Sequence, residues 1–289
     1  MDYTLVCGFQ MGETMRESLL ESVSDANRKS SADPKEERGK PLWARLCAEF
    51  MGTALLMTWL SGCLMADEWT KDANEDCAMQ IGVTLGVAVA LFGCVSGAHF
   101  NPAISVAFAA CRPDDFGWGD VLPYSIVQLL GAFVGTGINM TFYSGIVTHF
   151  EDSNNIGTHS LGSIGPLAMT WADRTTTGQA FMGEFYGSFM LGFLVFIMTN
   201  SKTIKLALPV PFTLGAGLMC IINTLGPVTT CGINPARDLG PRMVALFAGW
   251  SLNDAFQDGS WVYTVAPLLG APMGAAFADF VLPVIYEAY

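Results

Sequence analysis

Charge is scarce in this chain. Asp, Glu, Lys and Arg make up 14% of its 289 residues, and the 14 basic residues are outnumbered by 26 acidic ones. A net charge of −12 excludes a basic nucleic-acid footprint, so no nucleic acid is expected as a partner. Histidine is scarcer still, at three. The eight cysteines are scattered, several inside apolar stretches, with no CxxC pair and no metal-ligand spacing. They are read as small packing residues, and neither metal nor cofactor is expected. No nucleophile–base set and no phosphate-cradling loop stands out, which argues against an enzyme. No cleavable signal peptide is evident.

Apolar residues are what the chain has in quantity, at 51%, with a mean hydropathy of +0.40. The 31 glycines suit membrane helices that pack closely. Six stretches reach the ~20 residues needed to cross a bilayer: 42–66, 77–95, 121–148, 179–199, 206–225 and 261–285. Two further apolar pieces, near 101–111 and 235–248, are too short to span and read as half-helices entering from opposite sides. The expected fold is an all-α membrane protein of six transmembrane helices and two re-entrant half-helices. Residues 1–41 are polar and mixed in charge, and read as a mostly disordered cytoplasmic tail. Within it, Met15, Leu19, Leu20 and Val23 allow one brief amphipathic turn.

Each short piece opens on the same triplet, Asn101-Pro102-Ala103 and Asn234-Pro235-Ala236. Asn is a favoured helix N-cap, and Pro suits the first helical position, where its missing N–H would be unpaired anyway. Gly97 and Gly232 precede the triplets, where an unusual backbone angle or close packing is expected. The duplication extends further. Glu49 in Ala-Glu-Phe-Met-Gly-Thr and Glu184 in Gly-Glu-Phe-Tyr-Gly-Ser open the first and fourth spans. Leu129-Leu130-Gly131-Ala132 returns as Leu268-Leu269-Gly270-Ala271. Repeat one covers about 42–148, a loop 149–178, and repeat two about 179–285. Three spans per repeat is an odd number, so the halves lie inverted in the membrane. Seven Lys and Arg up to Arg45, with Arg112, Lys202 and Lys205, outnumber Lys71 and Arg174 on the other side. Both termini are therefore expected in the cytoplasm, and the 149–178 loop outside.

Inverted half-helices meeting head to head put two positive dipole ends near the bilayer midplane. Asn101 and Asn234 would then offer side-chain N–H donors into one narrow path. Backbone carbonyls of Gly97, Ala98 and His99, and of Thr230, Cys231 and Gly232, are the candidate acceptors for a passing hydroxyl. Two positive ends at the centre repel cations and oppose proton hopping along a water chain.

With these residues in place, the chain resembles the aquaporin, or major intrinsic protein, family over residues 42–286. Ser-Gly-Ala-His-Phe-Asn-Pro-Ala and Asn-Pro-Ala-Arg-Asp-Leu-Gly-Pro-Arg carry the resemblance. Asp238, directly after Arg237, and Arg242 four residues later are similar to the glycerol-facilitator branch. The resemblance implies a passive channel for water and small neutral solutes such as glycerol and urea. It also implies a homotetramer with one pore per subunit, in a lipid bilayer that is expected to be the plasma membrane. It makes Arg237 the constriction arginine and, by spacing, places Ile81, Ile222 and Cys231 beside it in the selectivity filter. These depart from the family's norms by lacking both the His and the aromatic wedge. Cys231 falls where some members carry a thiol that mercurials modify. Glu49 and Glu184 are implied to accept hydrogen bonds from the non-helical loops, Asp238 to pair with Arg242, and His99 to brace its loop, with a cytoplasmic pH gate as the minority reading. Three alternatives remain: a strictly water-selective pore, a coupled secondary transporter with inverted repeats, and a non-conducting adhesion protein.

Overall fold

A computed structural model describes residues 40–70, 76–171, 173–200, 209–281 and Val284. The tail reading, its amphipathic turn, and Lys71, Lys202 and Lys205 lie outside the described residues.

Among the described residues, six helices are long and apolar enough to cross a membrane. They are α1 (Leu42–Thr70), α2 (Cys77–Ser96), α4 (Trp118–Asn154), α5 (Thr177–Thr199), α6 (Val210–Thr229) and α9 (Val262–Ala276), the last continued by a π-turn over Phe277–Val281. Between them lie α3 (Pro102–Cys111), α7 (Pro235–Ala248) and the single turn α8 (Leu252–Ala255). The all-helical fold of six spans and two half-helices agrees with the expectation. Boundaries differ at polar ends. α4 runs on past residue 148 to Asn154 before Asn155 caps it in the left-handed region, so the inter-repeat connection is shorter than 149–178.

Glycine sets how closely the spans approach. A methyl group built on Gly131 or Gly135 would lie 2.5 or 2.3 Å from the carbonyl oxygens of Phe50 and Ala54 on α1. In the second half, Gly270 and Gly274 stand the same way, 2.2 and 1.9 Å from the carbonyls of Phe185 and Phe189 on α5. The halves join where Gly82 of α2 and Gly215 of α6 face each other, each 2.4 Å from the other's carbonyl oxygen by the same construction. The inverted repeat is thus visible in packing as well as in sequence. Asn139, the Asn of a formal glycosylation triplet, is buried in the α1–α4 contact and donates to the Thr58 carbonyl and to Ser61 Oγ.

Polar contacts pin both ends of the bundle. At the end where α1 begins, Arg45 pairs with Asp120 at 2.9 Å. Arg112, after α3, forms a bidentate pair with Asp279 (2.6 and 2.7 Å) and donates to Thr199 Oγ1 and the Phe196 carbonyl. Near the opposite end, Cys63 of α1 and Cys77 of α2 form a disulfide. This corrects the reading of these two cysteines as packing residues.

Gly274→Val should drive α5 and α9 apart and destabilise the fold by about 1–3 kcal/mol or more. Gly137→Ala, where a methyl group meets nothing within 4 Å, should be near neutral. Thermal unfolding in detergent micelles checks both.

Candidate functional site: two re-entrant loops meeting head to head

The half-helices begin as their sequences dictate. Asn101 and Asn234 sit in extended backbone, and their Oδ1 atoms accept from the N–H groups of Ala103 (2.9 Å) and Ala236 (3.0 Å) respectively, with Pro at the first helical position in each. With the oxygen committed to the cap, the amide nitrogen faces the other half. Asn101 Nδ2 donates to the Ile233 carbonyl and Asn234 Nδ2 to the Phe100 carbonyl, both at 2.9 Å. An amide nitrogen carries two hydrogens, so each Asn keeps one N–H beyond this exchange.

Upstream of each triplet the chain is neither helix nor strand. Positive φ recurs at Gly97, Ala98 and Phe100, and again at Thr230, Cys231 and Ile233. Gly97 therefore uses the freedom of glycine, whereas Gly232 has no positive φ and serves close packing against Tyr263, Glu184 and Met169. Five of these six residues are not glycine, and left-handed backbone at such residues persists only where surroundings over-determine it.

Two buried carboxylates supply that determination. Glu49 accepts from the His99 N–H (2.9 Å), the Phe100 N–H (2.7 Å), Ser96 Oγ (2.6 Å) and Gln128 Nε2 (2.8 Å). Glu184 accepts from the N–H groups of Gly232 (2.9 Å) and Ile233 (2.6 Å). The Ser96 and Thr229 hydroxyls take the N–H groups of Ala98 and Cys231. Tyr124 and Tyr263 hydroxyls donate to the Ser96 and Thr229 carbonyls at 3.0 and 2.9 Å.

The loops' N–H groups are thus taken, whereas of their carbonyls those of Phe100 and Ile233 alone accept, from the two Asn side chains, among the described residues. Among the described residues, no protein donor reaches the carbonyl oxygens of Gly97, Ala98, His99, Thr230, Cys231 or Gly232. Unpaired backbone at membrane depth is tolerated where it lines a water-filled cavity. The arrangement can therefore offer acceptors on both sides of two central donors.

Around this centre the other expected residues fall as follows. The His99 ring is buried, stacked on Phe108 at 4.5 Å, edge-on to Phe116, and within 3.1 Å of Ser105 Oγ through Nδ1. Ile81 and Cys231 are buried in one apolar cluster, with Ile222 packed against it. Arg237 is buried on α7, its Nη1 against Met169 Sδ. Asp238 turns the other way and accepts from Arg242 Nε at 2.8 Å, one helical turn on. Arg242 also donates to the carbonyls of Ala255 and Met169.

Some contributors escaped sequence reading. Gln128 and the repeat-related pair Tyr124 and Tyr263 had a signal, being polar atoms inside apolar spans. Glu151, which accepts from Ser163 Oγ and the His159 N–H, and Met169 had none.

This fold and site define a membrane channel built from inverted repeats around two re-entrant loops. The major intrinsic protein family model matches residues 36–278. The chain belongs to that family, and it is a passive membrane channel, not an enzyme. It is 30% identical over 241 residues to Aquaglyceroporin-2 of Rhizophagus irregularis, covering 81% of this chain and 76% of that one. It is 33% identical over 253 residues to the glycerol uptake facilitator protein of Pseudomonas aeruginosa, covering 81% and 87%. Its fold is also that of the aquaglyceroporin from Plasmodium falciparum, with a TM-score of 0.71 at 24% identity over 86% of this chain and all of that one.

Glu184→Gln puts an N–H donor where one accepting oxygen faces a buried backbone N–H. It should cost about 1–3 kcal/mol and lower the unfolding midpoint in micelles. An unchanged midpoint would mean that other contacts hold the second loop.

Proposed function

We propose that the chain conducts water and small uncharged solutes, glycerol foremost and urea among them, and excludes ions and protons. The observation that carries this reading is the set of six carbonyl oxygens without protein donors among the described residues, on both sides of the spare N–H groups of Asn101 and Asn234. A hydroxylated solute exchanges its water contacts for this set without charge or chemistry. Two helix N-termini at the centre disfavour cations and turn the water chain's dipoles, which breaks proton hopping. Ile81, Ile222, Cys231 and Arg237 form the selectivity filter in this reading, with Arg237 donating to solute hydroxyls. The names of the glycerol-facilitator relatives support a filter wide enough for glycerol.

In this reading residues 42–286 are the channel domain, and Glu49, Glu184 and Asp238 hold its loops without touching solute. Both termini are cytoplasmic in a plasma membrane. The excess of basic residues at the α1-start end supports that orientation. So does the Cys63–Cys77 disulfide, because such bonds persist on the oxidising side. Family membership supports a homotetramer with one pore per subunit.

Stopped-flow light scattering on proteoliposomes tests the function. Water flux and glycerol uptake should both exceed those of empty vesicles, with an activation energy near that of diffusion in water. A mercurial should block both, and Cys231→Ser should remove the block. Fast water with glycerol excluded would replace this reading with a strictly water-selective one.

A further inference from the structure

We propose that Met169, from the segment joining the two repeats, is a fifth filter residue that sets how wide a solute passes Arg237. The proposal rests on the channel reading above. The four filter positions expected from spacing contain no ring, and Cys231 is small, so they leave the constriction under-filled. Met169 lies against one of them, Arg237. Its sulfur touches Arg237 Nη1, and a methyl group built on Gly232 would come within 2.6 Å of its Cε. The side chain is buried between the filter guanidinium and Gly232, whose carbonyl has no protein donor among the described residues.

Comparison of the two halves explains why a side chain from elsewhere is needed there. In the first loop, the residue two before the triplet Asn is His99, whose ring packs 5.3 Å from Tyr124. In the second loop the matching residue is Gly232, beside Tyr263, the counterpart of Tyr124. A methyl group there would lie 2.6 Å from Tyr263 Cδ1 and from Met169 Cε alike. Met169 thus packs from outside the loop beside the position where the first loop carries the His99 side chain itself.

The segment carrying Met169 is fastened on both sides. Arg242, held by Asp238, donates to the Met169 carbonyl at 2.7 Å, and Thr230 Oγ1 donates to the Thr170 carbonyl at 3.3 Å. Leu167 and Ala168 turn back onto the Ile164 carbonyl and are buried. Trp69 Nε1 holds the Ser163 carbonyl at 3.0 Å. The thioether is flexible and polarisable, while its backbone is fixed. Beside a guanidinium it gives a polyol an apolar flank for its carbon edge and donors for its hydroxyls. Asp238 and Arg242 are positioning residues that act through it.

The test uses the full chain in proteoliposomes, with permeabilities to water, glycerol and the four-carbon polyol erythritol normalised to protein incorporated. Met169→Ala should raise the erythritol-to-water ratio by about tenfold, the low end of what a single methylene decides in an apolar pocket. Met169→Phe should lower the glycerol-to-water ratio by a similar factor. Ratios unchanged in both variants, with all three fluxes falling together or not at all, would overturn the proposal and leave Met169 a packing residue. If the Ala variant yields no folded protein, the Phe variant decides alone. A wild-type chain that passes neither water nor glycerol would overturn the channel reading as well, and that arm is measured first.

Discussion

Hydrocarbon offers backbone no hydrogen bonds, and the buried carboxylates of Glu49 and Glu184 answer that constraint at the centre of this protein. A helix satisfies both N–H and C=O internally and so presents nothing to a solute. Here each carboxylate takes two N–H groups of a non-helical loop, and the three carbonyls ahead of Phe100 and of Ile233 have no protein donor among the described residues. Half of the backbone's polarity is hidden and the other half is displayed. The left-handed residues flanking each triplet hold because these carboxylates and the reciprocal Asn bonds leave the loops no other arrangement.

The halves solve this problem with unequal means. The first loop is braced from within its own repeat, by Gln128, Ser105, Tyr124 and the His99 ring. The second has no counterpart of Gln128, since Pro267 occupies the matching place beside the repeated Leu-Leu-Gly. It leans instead on the inter-repeat segment and on Arg242, whose donors reach Asp238, Ala255 and Met169. A near-symmetric backbone therefore carries an asymmetric pair of mouths.

Much of this was legible in the sequence because it is local. Span lengths follow from hydropathy, the starts of α3 and α7 from Asn and Pro, and the Asp238–Arg242 contact from one turn of helix. Repeat symmetry extended the reading to Glu49 and Glu184. The rest depended on register between distant segments. The Cys63–Cys77 pair carries no spacing signal, so both cysteines read like the unpaired Cys47, Cys94, Cys111 and Cys220. Hydropathy ended α4 at residue 148 because His149, Glu151, Asp152, Ser153 and Asn154 are polar, yet hydrogen bonding carries the helix through them. Met169 and Glu151 sit in a connection with no periodicity, where only the folded chain reveals what they meet.

The exchange between Asn101 and Asn234 also says something about how the chain comes into being. Phe100 and Asn234 are separated by 134 residues and belong to different repeats. At ribosomal rates of about 5–20 residues per second, the Phe100 carbonyl waits roughly 7–27 s for its partner. During that interval the first three spans can insert and pair, but their loop lacks the donor that completes it. Neither repeat is a finished half-channel, and the centre of the pore cannot close until the second triplet has been made.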